Sequence, residues 1–167
     1  MNVAGGPPLP RAASLADVPA LGDLLEAVGA EGLWIATEPP LDRRRFAFHI
    51  RSFIERESHL CLVVPDGEGA LLGELTARPE GPRGAAIGLC VALHARHGGI
   101  GSTLFQACID WARARSLSYL ALKVFPHNTA ARALYAKFGF VEGAPELRSI
   151  PRRNGDLWDV IPMSLAL

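Results

Sequence analysis

The residues of this chain that are best suited to chemistry form a glycine-rich segment after an apolar stretch. Residues 89–95 are mostly apolar, and Arg96-His97-Gly98-Gly99-Ile100-Gly101-Ser102 follows them and leads into an amphipathic segment. In a turn from a strand to a helix, free backbone N–H groups and the positive end of the helix dipole meet at one point. Glycine leaves space where a ligand must touch the backbone. The pattern therefore predicts an anion site for a phosphate at residues 96–102.

Two polar residues further along the chain can act at the same site. Asn128 lies where a short helix is predicted to begin, and Asn is a favoured N-cap. Tyr135 follows two helical turns later, so both side chains lie on one face of that helix. A phenol stays protonated at neutral pH and can donate its proton during a reaction. Helix capping for Asn128 and core packing for Tyr135 are the structural alternatives.

The two common competing phosphate motifs are absent from the sequence. It contains neither the Gly-Lys-Ser/Thr of a P-loop nor Gly-x-Gly-x-x-Gly. The order of its parts instead resembles that of the GCN5-related N-acetyltransferases (GNAT), whose motif Arg/Gln-x-x-Gly-x-Gly/Ala corresponds here to Arg96 through Gly101. Asn128, Tyr135 and the pair Gly139-Phe140 follow at the family's spacing. The resemblance implies an acetyltransferase that uses acetyl-CoA (coenzyme A) as co-substrate and no metal.

The resemblance also implies roles for individual residues. The main chain of residues 89–91 would pair with the pantetheine arm, and the loop would hold the pyrophosphate with Arg96 as a fixed cation. Asn128 would hydrogen-bond the arm, and Tyr135 would protonate the leaving thiolate. The implied cofactor-binding residues are Leu89, Cys90, Val91, Arg96, His97, Gly98, Gly99, Ile100, Gly101, Ser102, Asn128 and Tyr135.

The group that deprotonates the acceptor amine is not evident. Many family members carry a Glu on the strand before the glycine-rich loop, but residues 84–88 contain no acid. Glu38 is the first choice as a catalytic substitute, because the loop between the first two helices usually lines the acceptor site; Glu74 or a water chain are the alternatives. Candidates for the acceptor pocket are Trp34, Glu38, Phe46, Arg148, Asp156, Trp158 and Asp159.

The implied function is transfer of an acetyl group to a primary amine of a small molecule, such as an amino acid, by direct attack in a ternary complex. A protein N-terminus or a ribosomal protein is the alternative acceptor. A non-catalytic acyl-CoA-binding regulatory module is the other alternative, indicated by the missing strand Glu. Cys90 as an acyl-carrying nucleophile is the weaker mechanism, because no His is placed beside it by the sequence.

The elements that must position these residues follow from hydrophobic periodicity and capping signals. Their order resembles the GNAT acyl-CoA acyltransferase fold, an α/β (α+β) fold with a mixed, mostly antiparallel sheet, a splayed parallel pair and flanking helices. The predicted elements are a strand at 11–13, helices at 14–28 and 42–57, strands at 60–64, 70–77 and 85–93, a helix from 100, a strand at 119–124, a helix at 129–137 and strands at 141–150 and 157–165.

Composition and charge limit the kinds of partner and the cellular compartment that we expect for this protein. Lys+Arg and Asp+Glu both total 17, so there is no electrostatic reason to expect nucleic acid or an anionic membrane as partner. The three cysteines have no metal or disulfide spacing and predict buried thiols in a cytoplasmic protein. We expect a flexible segment at 1–10 with no signal peptide, and a single N-acetyltransferase domain at 11–167. A homodimer is compatible with the resemblance.

Overall fold

A computed structural model describes residues 8–167. The first seven residues of the segment predicted to be flexible lie outside the described residues, so the division into segment and domain stays a prediction. The helices are α1 (Val18–Ala30), α2 (Arg43–Glu55), α3 (Ile100–Ala114) and α4 (Thr129–Lys137). The strands are β1 (Arg11–Ala12), β2 (Leu60–Pro65), β3 (Leu71–Glu80), β4 (Gly84–Val91), β5 (Tyr119–Val124), β6 (Val141–Glu142), β7 (Glu146–Pro151) and β8 (Leu157–Ala166).

The sheet is mixed and mostly antiparallel, as predicted. Its strand order is β1-β2-β3-β4-β5-β8-β6, with β7 paired to β8. Among the described strands, β4 and β5 are the parallel pair, and their pairing joins residues 84–86 to residues 119–121. Both strands continue beyond this point without pairing to each other. The sheet therefore opens into a V between β4 and β5, which confirms the predicted splayed pair.

Helices cover both faces of the sheet and give the protein two hydrophobic clusters. Alternation along β2 assigns Leu62 and Val64 to the cluster under α3 and α4, and Cys61 and Val63 to the cluster under α1 and α2. Phe105 of α3 is fully buried in the first cluster. The V lies where these two clusters approach each other, so a cavity there can reach both faces of the sheet.

Local capping signals set the helix starts where the sequence predicts them. Ser14 and Asp17 form a capping box, and Asp42 accepts a hydrogen bond from the Arg45 N–H at 3.0 Å. Asn128 Oδ1 accepts from the Ala131 N–H at 3.2 Å. These side chains act on backbone groups three residues away, which is why the sequence alone is sufficient to find them.

Several predicted boundaries need correction. The strand predicted at 141–150 is divided into β6 and β7 around Pro145, which has no N–H to give to a ladder. The strand predicted to reach Leu93 ends at Val91, because residues 93–95 form a 3-10 turn. The helix predicted to end at residue 28 continues to Ala30, so Gly29 lies inside α1. Its lack of a side chain serves packing instead, since a Cβ there would lie 2.7 Å from the Thr37 carbonyl oxygen.

The three cysteine thiols are free and buried, as predicted. In the part of the chain that the structure describes, no helix combines the length and apolar character that crossing a membrane requires. Within the same residues, no three His, Cys, Asp or Glu side chains come together in a group that could hold a metal ion.

Candidate active site

A cavity of about 820 Å³ occupies the V between β4 and β5. One side is formed by the glycine loop, which we define as residues 96–102, together with α3 and α4. Of the predicted cofactor residues, all but Gly98 line this cavity. The structure therefore brings together residues that the sequence places on a strand, a loop and two helices.

The glycine loop presents backbone N–H groups to the cavity. His97 and Gly99 have positive φ angles of 63° and 85°, and α3 begins directly after them. The first amide of the helix to find a backbone acceptor is that of Thr103, which donates to the Gly99 carbonyl at 3.0 Å, and no side chain caps this end. The N–H groups of residues 100–102 have no acceptor within the described chain, so they are available to an anion.

The Arg96 guanidinium lines the cavity and is paired with a carboxylate of the protein itself. It donates to both carboxylate oxygens of Glu31 at 2.6 and 2.8 Å, and its Nε donates to the Val91 carbonyl at 3.1 Å. The Arg96 hydrogen bonds hold the pKa of Glu31 below its usual value, despite partial burial. Trp34 Nε1 also donates to Glu31, at 2.7 Å. Arg96 therefore ties the end of β4 to the end of α1 with its charge balanced.

The edge of β4 that faces the cavity carries backbone groups that no strand pairs, and of these the Val91 carbonyl accepts from Arg96 Nε. Leu89, Cys90 and Val91 pair with β3 on the other edge, but the ladder to β5 ends at Ala86. Unpaired sheet groups at a cavity surface are costly unless a ligand satisfies them. The gap can therefore take an extended chain with alternating donors and acceptors.

Tyr135 lies at the centre of the cavity wall. The residue is 7% exposed and packs against Phe105 and Phe140, with ring centroids 5.2 and 6.1 Å away. Its hydroxyl has no hydrogen-bond partner among residues 8–167, and burial raises the pKa of Tyr135 to about 12. The phenol is therefore protonated at neutral pH and free to donate to a ligand.

Asn128 serves the helix and the cavity together. Its Oδ1 accepts the capping bond from Ala131, while the residue also lines the cavity. A side-chain amide keeps two N–H donors when its oxygen is used, so Asn128 can still donate to a ligand. The capping and ligand-binding interpretations are compatible.

Lys137 is a cavity residue that the sequence reasoning missed. It lies on the same face of α4 as Ala130 and Leu134, and all three line the cavity. No carboxylate of the described chain lies within ion-pairing distance of its ammonium group. The sequence signal that could have indicated Lys137 was its position three residues after Leu134, on the same face of the helix. Lys137 supplies the unpaired cation that Arg96 does not.

The opposite side of the cavity is apolar, and we call it the apolar wall. Phe125 and Val160 are 5% and 3% exposed, and behind Phe125 the Trp158 ring packs edge-on at 5.0 Å. The loop between α1 and α2 contributes Trp34, Ile35 and Ala36, of which the first two pack against the α1–α2 cluster, and β7 contributes Ile150. The apolar wall consists of Trp34, Ile35, Ala36, Phe125, Ile150 and Val160.

Arg152 holds this wall in place and was not found from the sequence. Its side chain is 2% exposed, lies over the Trp158 ring at 4.3 Å, and donates to the Ile35 and Ala36 carbonyls at 3.2 Å each. The partners lie 117 and 116 positions away in the chain, and no local pattern indicates such a contact. Arg152 is a positioning residue for the backbone of the wall.

Glu38 does not reach the cavity, which argues against the prediction that it is the catalytic base. It accepts a hydrogen bond from the Arg153 N–H at 2.9 Å and forms an ion pair with Arg152 at 3.4 Å. It therefore fastens the α1–α2 loop to the β7–β8 hairpin. Among the other acceptor candidates, Trp34 lines the cavity, whereas Phe46, Arg148, Asp156, Trp158 and Asp159 do not.

Glu74 is buried directly beside the cavity strand. It lies opposite Cys90 in the β3–β4 register, is 6% exposed, and its Oε2 has no hydrogen-bond partner among the described residues. Burial raises the pKa of Glu74 to about 8, so the carboxyl is mostly neutral at pH 7. Burial also raises the pKa of the Cys90 thiol, which makes a thiolate nucleophile unavailable there. Neither Glu74 nor any other carboxylate of residues 8–167 lines the cavity.

Comparisons with known proteins show the family and the fold of this chain. The model of the acetyltransferase (GNAT) family matches residues 25–140. The L-methionine sulfoximine/L-methionine sulfone acetyltransferase of Pseudomonas aeruginosa is 30% identical over 94% of this chain and 93% of its own length. The crystal structure of a ribosomal-protein-alanine N-acetyltransferase from Brucella melitensis is 28% identical, with a TM-score of 0.84 over 95% of this chain and 99% of that one. A phosphinothricin acetyltransferase from Sinorhizobium meliloti, solved with acetyl-CoA, shares the fold with a TM-score of 0.83 at 17% identity over 96% of this chain and 89% of that one.

Proposed function

Because the chain belongs to the GNAT family and is an N-acetyltransferase, we propose that it moves the acetyl group of acetyl-CoA directly to a primary amine of a small molecule. The observation that carries the proposal is one continuous cavity between the glycine loop and the apolar wall. It offers a cofactor channel on the α3–α4 face and space for an acceptor on the α1–α2 face. The Pseudomonas relative, which acts on a modified amino acid, supports a small acceptor.

The cofactor would be bound mainly by backbone groups. The N–H groups of residues 100–102 receive the pyrophosphate, and Lys137 adds a positive charge on the same side. The free edge of β4 at residues 89–91 pairs with the amides of the pantetheine arm, and Asn128 donates to the arm from the opposite strand end. These contacts bring the thioester to the centre of the V, beside Tyr135.

The chemical step follows from the groups at that point. A neutral amine attacks the thioester carbonyl carbon, and a free N–H of β4 near Cys90 and Val91 donates to the developing oxyanion. The C–S bond then breaks, and Tyr135 donates its proton to the departing thiolate and recovers one from solvent. The amine nitrogen, now bonded to the acetyl carbon, loses one proton to water. Since the Cys90 thiol stays protonated, no acyl-enzyme is formed.

The acceptor must arrive as the free amine, because no carboxylate of the described chain lines the cavity. Deprotonation then precedes binding, and the pKa of the acceptor's own ammonium group sets the fraction of free amine. The expected consequence is a kcat/KM that rises with pH along the titration of the acceptor, shifting when an amine of different pKa is used.

Transfer to a protein N-terminus is the second candidate, and the likeness to the Brucella ribosomal-protein-alanine N-acetyltransferase favours it. Peptides beginning with alanine, tested beside free amines, separate the two. The non-catalytic alternative does not fit a family member whose cavity holds a free phenol donor. We also propose that the enzyme works in the cytoplasm, where its three free thiols need no oxidising partner.

The test combines calorimetry with thiol release. We expect acetyl-CoA to bind the purified protein, and CoA thiol to appear when amines are added, with intersecting initial-rate lines that indicate a ternary complex. A Gly101→Val variant should bind acetyl-CoA at least about tenfold more weakly, since a Cβ there already lies 2.9 Å from Leu134. Ala114→Val, at the exposed far end of α3, is the matched control. Unchanged affinity in folded Gly101→Val, or no thiol release with any amine, would contradict the proposal.

A further inference from the structure

The apolar wall offers an acceptor no charge to pair with. Its side chains are Trp34, Ile35, Ala36, Phe125, Ile150 and Val160, and the Trp34 N–H is already donated to Glu31. Phe125 and Val160 are almost completely buried. An acceptor body placed against this surface meets hydrocarbon and aromatic rings, so its favourable contacts come from apolar burial and ring packing.

Among residues 8–167, the Lys and Arg side chains that line the cavity or hold the wall are paired, apart from Lys137. Arg96 is bound by Glu31 through two hydrogen bonds, and Arg152 is held by the loop carbonyls and Glu38. Arg153 donates to the carbonyls of Pro39 and Pro40 at 2.6 and 3.0 Å. Lys123 lines the cavity but pairs with Glu146 at 2.7 Å. An acceptor carboxylate would find no free partner there without breaking one of these pairs.

Lys137 is unpaired within the described chain, but it does not add a free positive charge to the apolar wall. It belongs to α4, with Ala130 and Leu134, on the face where the glycine loop lies. Trp34 and Ile35 of the apolar wall pack against the α1–α2 cluster, on the opposite face of the sheet. The positive charge is therefore on the cofactor side, and the acceptor side is electrically neutral.

We infer that the acceptor is a primary amine with an apolar or aromatic body and without a carboxylate, rather than an amino acid. This inference rests on the proposed function and narrows its substrate class. Burying an unpaired carboxylate in such a site is strongly unfavourable. The same surface favours the neutral amine over the ammonium ion, which agrees with the lack of a carboxylate base in the cavity.

The test uses acceptor pairs that differ only in the carboxylate. Phenethylamine is compared with L-phenylalanine, and 3-(methylthio)propylamine with L-methionine, each at a pH where equal fractions are free amine. We expect kcat/KM to be at least about 100-fold higher for the amine of each pair. The acetyl-CoA affinity, measured by calorimetry without acceptor, is the common reference.

A variant pair on one strand tests the electrostatic cause. Ile150→Lys adds a cation to the apolar wall, whereas Leu147→Lys adds one on the same strand at a position that is 72% exposed and outside the cavity. The preference for phenethylamine over L-phenylalanine should fall at least about tenfold in Ile150→Lys and stay unchanged in Leu147→Lys. Because the substrate pairs are also measured on the unaltered enzyme, the result does not depend on the folding of either variant.

The outcomes separate the inference from the proposed function. Equal or higher kcat/KM for the amino acid of each pair overturns the inference and leaves a small-molecule acetyltransferase. Turnover of alanine peptides alone, or no turnover in a protein that binds acetyl-CoA, overturns the proposed function and the inference with it. A preference for the amines that is weakened in Ile150→Lys supports both.

Discussion

Individual residues of the site were predictable where the sequence pattern is local. The glycine loop, Asn128 and Tyr135 lie within one continuous segment whose spacing is readable, and all of these residues except Gly98 line the same cavity. The errors concern side-chain partners that are distant in sequence. Arg96 has the residue type of a phosphate ligand, but Glu31, which neutralises it, lies 65 positions away. A residue's type indicates what it can bind, and its surroundings decide which partner it has.

At the residue scale, the leaving-group acid can be tested by removing one hydroxyl. Tyr135→Phe keeps the ring that packs on Phe105 but deletes the donor, so turnover should fall by about 100-fold or more if the proton is delivered in the transition state. Acetyl-CoA affinity should change little. The measurement is kcat with an accepted amine, beside calorimetry with acetyl-CoA.

The control is the other tyrosine of the chain. Tyr119 donates to the Glu80 carbonyl at 2.8 Å and lies outside the cavity. Tyr119→Phe should lose a little stability and keep full turnover. Full turnover in Tyr135→Phe would make that side chain a packing residue and leave the acid unassigned.

At the scale of elements, helices and paired strands were predictable, and the loop between α1 and α2 was not. Periodicity and capping depend on neighbours within one or two turns. The α1–α2 loop is instead held by remote groups: Glu26 accepts from the Leu41 N–H at 2.8 Å, and Arg152 binds the carbonyls of Ile35 and Ala36. These contacts give the loop its shape, and within it Glu38 binds Arg152 and Arg153 and does not line the cavity, which the sequence alone did not indicate.

The role of Arg152 in shaping this loop predicts a specific kinetic effect. Arg152→Met keeps the apolar stem but leaves two carbonyls and Glu38 without their partner, at a cost to stability of about 1–3 kcal/mol. Since the loop forms the apolar wall, KM for the acceptor should rise while acetyl-CoA affinity stays the same. Arg148→Met, in the same β7–β8 hairpin and outside the cavity, is the control. An unchanged acceptor KM would limit Arg152 to a stabilising role.

At the scale of the whole molecule, the fold was predictable because each face of the sheet has its own amphipathic helices. The V between the strands is open because β4 and β5 pair only at one end. The sequence does not indicate that Glu74 is buried between the sheet and α1. Glu74 lies in a strand pattern where a polar residue is expected to face solvent, yet it is 6% exposed. Only the complete assembly of β2, β3, β4 and α1 buries it.

This buried acid predicts how the stability of the whole protein depends on pH. In the folded state the pKa of Glu74 is raised to about 8, whereas an exposed Glu has a pKa of about 4.3. Between these values the folded protein keeps a proton that the unfolded chain releases. The contribution of Glu74 to stability is therefore complete below the lower value and is lost as pH rises toward 8. Its slope reaches about 1.4 kcal/mol per pH unit.

Glu74→Gln removes this titration, so the free energy of unfolding of the variant relative to the unaltered protein should increase with pH between about 5 and 8. Urea unfolding at several pH values within that range measures the difference. The comparison also removes the contribution of His59, whose pKa is lowered by burial and whose effect has the opposite sign. Cys61 does not titrate in this range, because burial raises its pKa to about 12. A curve for Glu74→Gln that runs parallel to that of the unaltered protein would mean that Glu74 is ionised in the folded state.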